Sequence, residues 1–191
     1  IAFSERFAEG APQLISRVLI ADTQTPVSAY MRLASGKPNS FLLESVEGGE
    51  IRGRFSVIGM APDLIWRCRG NLAEINRNPS ESSDFEAVDG DPLTALRALM
   101  AESAMDDTGD LPPMAAGLFG YFGYDMIRQI ETIADENTPA IDTPDSILLR
   151  PSLIAIFDRL RDSITLVTQI RPADWDDAAT AWNIAHSRIN N

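Results

Sequence analysis

One cysteine, Cys68, and one histidine, His186, are all that this 191-residue sequence has of either type. A lone cysteine excludes an internal disulfide and suits a reducing compartment, so the cytoplasm is the expected location. One thiol and one imidazole do not make a zinc site of the ordinary four-ligand kind. A Ser-His-Asp triad would have to use His186, which falls in a polar C-terminal helical pattern with no nucleophile-elbow motif near it. Bases are scarce as well, 16 against 28 acidic residues for a net charge of −12. Such a surface repels a phosphate backbone, so nucleic acid is a poor candidate partner. No apolar run approaches the ~18 residues that span a bilayer, and a membrane is not expected as a partner either. The first residues, Ile1 to Phe7, carry no initiator methionine and lack the basic-then-apolar order of a signal peptide. They read as a trimmed start, or one with more chain upstream.

What is present is an ordinary globular mixture, 45% apolar and 23% charged, in a chain long enough to bury one substantial core or two small ones. Gln13 to Ile20 reads as a strand. Thr25-Pro26 offers an N-cap and a first-turn proline, and Val27, Tyr30, Met31 and Ala34 then keep helical spacing. Leu64, Trp66 and Cys68 alternate with Ile65, Arg67 and Arg69. The turn Gly70-Asn71 leads from them into Leu72 to Ile75, a hairpin. Asn76 to Asp89 is polar and reads as surface loop. Asp91-Pro92 opens a helix from Leu93 to Glu102 with Leu93, Leu96, Leu99 and Met100 as its buried stripe. Asp106 to Pro113 reads as a turn-rich break.

Ala115 to Asp125 holds three glycines three residues apart, which predicts a strand approached closely by another backbone or by a ligand. Tyr124 to Glu131 follows as a short helix and Thr132 to Ser146 as loop. Leu153 to Phe157 and Ile164 to Ile170 form a second hairpin around a charged turn. A terminal amphipathic helix runs from about Asp174 to Arg188, marked by Trp175, Ala178, Ala179, Trp182 and Ile189. It has no following strand to pack on and reads as cut from something longer. Hairpins and isolated helices, without strict strand–helix alternation, predict an α+β fold built on antiparallel sheet.

The chain is organised around Phe41 to Gly59, FLLESVEGGEIRGRFSVIG. Two apolar runs, Phe41-Leu42-Leu43 and Phe55-Ser56-Val57-Ile58, flank Gly48-Gly49 and predict two strands with a loop between them. Glu44 and Ser45 end the first strand. On the residues alone two readings stand: solvated strand-end groups, or the few placed polar groups of a small-ligand pocket.

Leu42-Leu43-Glu44-Ser45 with Gly53-Arg54-Phe55-Ser56-Val57-Ile58-Gly59 resembles a signature of the anthranilate synthase component I family. So do Asp91-Pro92-Leu93, Gly117-Leu118-Phe119-Gly120-Tyr121-Phe122-Gly123-Tyr124-Asp125 with Arg128 and Glu131, and Pro144-Asp145 through Asp158. The matching segments cover about residues 12 to 170, in the family's order. The resemblance implies that residues 1–191 form the N-terminal, tryptophan-regulated part of a lyase. That enzyme makes anthranilate and pyruvate from chorismate and ammonia, the ammonia supplied by a glutamine amidotransferase, component II. It also implies that the chorismate pocket and Mg²⁺-binding glutamates belong to a C-terminal part outside this chain. No residue here is then catalytic, and the chain alone is expected to be inactive.

The same resemblance puts a feedback site for L-tryptophan between the focal stretch and the C-terminal part, which is expected to supply a Pro-Tyr-Met segment. An indole-bearing zwitterion needs an anion for its ammonium, donors for its carboxylate and an apolar slot. Glu44 fits the first need and Ser45 is a compact donor. Arg54 is placed to hold the carboxylate, with Leu43 and Phe55 lining the slot; the alternatives are a solvated charge for Arg54 and a core position for Phe55. Two other functions compete. One is the N-terminal half of aminodeoxychorismate synthase component I, which shares the fold, and the other is a free-standing amino-acid-binding module.

Overall fold

Thr25 closes a reciprocal cap with Ser28, each side chain meeting the other's backbone N–H, and Pro26 fills the first turn. This is the helix start that the sequence predicts. In the computed structural model, which describes residues 3–45, 53–105, 108–133 and 141–190, that helix is α2, Pro26–Leu33. The chain divides into two compact units. Ile1–Ala61, Met105–Ala116 and Pro151–Asn191 make the first, and Pro62–Ala104 and Gly117–Arg150 the second. Two long strands run through both: β3, Phe55–Arg69, and β7, Ser146–Asp158. Each enters its next unit at a proline, Pro62 or Pro151, a residue that has no N–H to give a ladder.

In the first unit, β1 (Gln13–Ile20) pairs antiparallel with β8 (Ser163–Ile170), Gln13 opposite Ile170 and Ile20 opposite Ser163. The far side of β8 pairs with the end of β7, Leu153 opposite Thr168. β2 (Phe41–Leu43) lies antiparallel on the start of β3, Phe41 opposite Gly59 and Leu43 opposite Val57. A Cβ at residue 59 would lie 2.2 Å from the Phe41 ring, so the glycine makes room for that ring. Ala29 of α2 and Ala34, its C-cap, pack with Ile58, Met60, Ala155, Phe157 and Ile164. At the other end Ala181 and Ala185 of α4 (Ala178–Asn190) cover Ile170. Ile15, Trp175 and two phenylalanines of α1 (Phe3–Ala8), Phe3 and Phe7, join them. Each large apolar side chain buried this way contributes ~1.5–3 kcal/mol.

In the second unit the rest of β3 turns at Gly70-Asn71 into β4 (Leu72–Asn76), Arg69 opposite Leu72, with Gly70 at φ 51°. β5 (Glu86–Val88) adds to β4, and β6 (Phe119–Phe122) pairs with the beginning of β7. Helix α3 (Pro92–Ser103) is capped by the Asp91 carboxylate, which accepts from the Thr94 N–H at 3.0 Å. Its Ala95, Leu96 and Leu99 pack with Leu64, Trp66, Cys68, Ile75, Met126 and Leu148. Arg150, only 5% exposed, is held by Asp63 at 2.7 Å and Glu102 at 3.1 Å, and Arg77 takes the outer side of Glu102. Glu102 is held below the usual carboxylate range, chiefly by the Arg77 hydrogen bond.

The antiparallel α+β class stands as expected, and the structure corrects several details. The strand expected at Leu64 begins at Phe55 and runs unbroken. The polar loop from Asn76 contains β5. In α2 and α3 the buried faces are Pro26 with Ala29, and Ala95 with Leu96 and Leu99; Val27, Met31 and Met100 are exposed. The Gly-rich segment holds only four strand residues, and a 3-10 helix follows at Tyr124–Gln129. A hypothetical Cβ on Gly120 would meet the backbone carbonyl of Ile147, so here the close approach is by another strand. The terminal helix starts at Ala178 and has a sheet to pack on after all. Gly48-Gly49, Asp106 and Pro139 lie outside the described residues.

Candidate functional site

The β7–β8 hairpin brings the end of β7 beside the start of β3. The Asp158 carboxylate, 5% exposed, accepts from Arg54 Nε at 2.8 Å and from Nη2 at 2.5 Å. It also accepts from the Leu160 N–H at 3.0 Å, which shapes the turn that Asp162 completes at φ 46°. Bidentate guanidinium–carboxylate bonding of this kind is strong and directional. The Arg54 hydrogen bond draws the Asp158 carboxyl below its ordinary value and raises that of Arg54 in turn.

Asp158 is buried while Arg54 keeps access to water, so Asp158→Asn is expected to destabilise the chain measurably at neutral pH, less than breaking a fully buried pair would. A carboxylate with a lowered folded pKa stabilises above its unfolded value of ~3.9 and loses that contribution as pH falls through the folded value. Urea melts should therefore separate the two proteins at pH 7 and bring them closer together by about pH 3. A constant difference down to that pH would contradict the assignment.

Next along the turn, the Arg159 N–H donates to the Arg54 carbonyl at 3.1 Å, fixing the backbone. The Arg159 side chain reaches Glu44 through Nη2–Oε1 at 3.3 Å. Glu44 follows β2 directly, so this contact ties the end of β2 to the β7–β8 turn. Both residues line a pocket of about 330 Å³ with Ala21, Pro26 and Phe157 among its apolar lining and Gln24 and Asp162 among its polar lining.

The five sequence-predicted residues thus have distinct places. Glu44 faces this pocket, paired to Arg159. Leu43 ends β2 and is 48% exposed. Ser45 is half-buried, one residue beyond Glu44. Arg54 is bound through two of its nitrogens to Asp158. Phe55 is half-buried beneath the Arg54 guanidinium, 4.8 Å from carbon to ring centroid. Sequence reasoning gave Asp158 and Arg159 no place in the site: Asp158 closed a matching strand segment and Arg159 read as a turn charge. A carboxylate ending an otherwise apolar strand, Ile154-Ala155-Ile156-Phe157-Asp158, was the available signal. Among the described residues, no group of three or more His, Cys, Asp or Glu is placed to hold a metal ion. None of the helices described is long and apolar enough to cross a membrane.

No protein-family model matches the chain. Curated relatives do. Anthranilate synthase component 1 of Cereibacter sphaeroides is 43% identical over 189 residues, 98% of this chain and 38% of that protein. Anthranilate synthase component 1 of Mycolicibacterium smegmatis is 34% identical over 92% of this chain and 31% of its own length. That of Thermus thermophilus is 32% identical over 87% of this chain and 34% of its own length. Among solved structures, anthranilate synthase component I from Streptococcus pneumoniae aligns with a TM-score of 0.56 at 23% identity, over 88% of this chain and 36% of that one. The fold is therefore shared. The chain spans 31–38% of the length of these curated relatives.

Proposed function

We propose, from its 43% identity to an anthranilate synthase component 1 across 98% of its length, that this chain is the N-terminal regulatory part of such an enzyme. The whole protein would work in the cytoplasm, converting chorismate and ammonia to anthranilate, pyruvate and water, with a glutamine amidotransferase, component II, delivering the ammonia. Residues 1–191 would be its tryptophan-responsive part. The chorismate site and its Mg²⁺ would fall to residues beyond this chain.

What supports a regulatory amino-acid site is the chemistry of the pocket beside Glu44. It offers an anion for an ammonium and apolar surface from Ala21, Pro26 and Phe157 for a ring. Of the five predicted residues Glu44 lines this pocket, while Leu43, Ser45, Arg54 and Phe55 lie outside its lining.

The test is expression of the complete reading frame. With Mg²⁺, ammonium and chorismate it should yield anthranilate fluorescence that L-tryptophan suppresses. Formation of aminodeoxychorismate instead would move the protein to the folate-pathway homologue, and no chorismate turnover at all would favour a binding module. The present chain, assayed alone under the same conditions, is expected to give no fluorescence above the protein-free control. A signal proportional to added chain would refute that.

A further inference from the structure

We propose that Arg159 is a specificity-determining residue of the regulatory pocket, the group that receives the carboxylate of the bound amino acid while Glu44 receives its ammonium. The inference rests on the tryptophan reading given above and goes beyond it, because that reading names no carboxylate partner that the fold leaves available. Arg54, at the expected position, has Nε and Nη2 on Asp158.

Among the described residues lining the pocket, Arg159 is the one base; Glu44, Asp158 and Asp162 are acidic. A zwitterion entering here has a single cationic group to meet. Arg159 and Glu44 contact each other at 3.3 Å with their side chains 49% and 33% exposed. A pair this open to water is weak and readily exchanged. The amino acid carries the same two charges on one carbon. Insertion between Glu44 and Arg159 replaces one ion pair by two and leaves neither residue without a partner. The backbone of Arg159 is meanwhile fixed by its bond to the Arg54 carbonyl. The side chain can therefore swing without disturbing the hairpin. The part-buried Arg54–Asp158 pair becomes the base on which the movable arginine sits.

Calorimetry on the full-length protein with two probes, L-tryptophan and tryptamine, decides the matter, since tryptamine lacks the carboxylate. Arg159→Ala should weaken tryptophan by about tenfold or more, equivalent to ~1.4 kcal/mol per tenfold. Tryptamine should bind the variant as well as before or better, because the guanidinium no longer competes for Glu44. Arg159→Lys should recover part of the tryptophan affinity. Glu44→Gln should weaken both probes. If wild type binds tryptophan and Arg159→Ala binds it equally well or more tightly, Arg159 is only an exposed counter-ion and the proposal falls while the tryptophan reading stands. Equal loss of both probes in that variant would make the residue structural and also overturn it. If wild type binds neither probe, the tryptophan reading itself fails and this inference with it.

Discussion

Under the proposed function, Ser45→Phe in the full-length protein is expected to raise the tryptophan concentration needed for half-inhibition a hundredfold or more, with turnover at saturating chorismate nearly unchanged. Ser45 is half-buried one residue after Glu44, where β2 has just ended. A phenyl ring there takes up space beside the proposed ammonium partner and removes a hydroxyl in the same step. Loss of a hydrogen bond to a charged group costs ~1.5–3 kcal/mol, and steric overlap adds to it. A hundredfold corresponds to ~2.7 kcal/mol, within reach of the two effects together. Linkage supplies a second readout: weaker coupling of tryptophan to chorismate binding must appear as weaker coupling in the reverse direction. Inhibition at wild-type concentrations would return Ser45 to an ordinary strand-end serine. Lost activity in the absence of tryptophan would show that the residue serves the fold.

The largest effect on stability is expected at Gly120. A Cβ there would stand 1.9 Å from the Ile147 carbonyl oxygen and 2.8 Å from its carbon, both backbone atoms of β7. No rotamer change relieves such a clash, so β6 must part from β7 along the register that sets Gly120 opposite Leu148. Overpacking commonly costs 1–3 kcal/mol, and displacing a strand adds to it, so Gly120→Val should cost ~3 kcal/mol or more. For a chain of this size that lowers the melting temperature by roughly 10 °C, measurable by circular dichroism. Gly70→Ala gives a graded comparison. Its Cβ would meet nothing within 4 Å, and only the left-handed φ of 51° resists it. A Gly120→Val melt that overlays wild type would mean that the two strands are not so close.

Local chemistry made much of the fold legible. Thr25-Pro26 and Asp91-Pro92 announce their helices because cap and first-turn proline act within four residues, and both caps form as expected. Gly70-Asn71 announces its hairpin for the same reason. The helical stripes were less legible. The side chain that wins burial depends on which sheet face lies opposite: the small Ala29 and Ala95 allow close approach, while Met31 and Met100 are left in water. The candidate site divides in the same way. Glu44 was visible as a carboxylate closing an apolar strand. Its partner Arg159 lies 115 residues later, and Arg54 and Asp158 are 104 residues apart. No periodicity or motif spacing reports pairings at that range, so the commitment of Arg54 to Asp158 had to be seen in the structure.

The passage of β3 and β7 through both units has a consequence for the order in which the protein is made. The second unit draws on residues 62–104 and 117–150, so all its strands have been synthesised once Arg150 is joined. The first unit cannot close then: β1 pairs with β8, with Gln13 waiting for Ile170. At ~5–20 residues per second, an emerging β1 spends roughly 7–30 s without its partner strand. During that interval the N–H and C=O groups that will pair with β8 form an open edge of the kind that recruits other chains. β1 is thus synthesised well before β8 and is among the last strands of its unit to gain a partner.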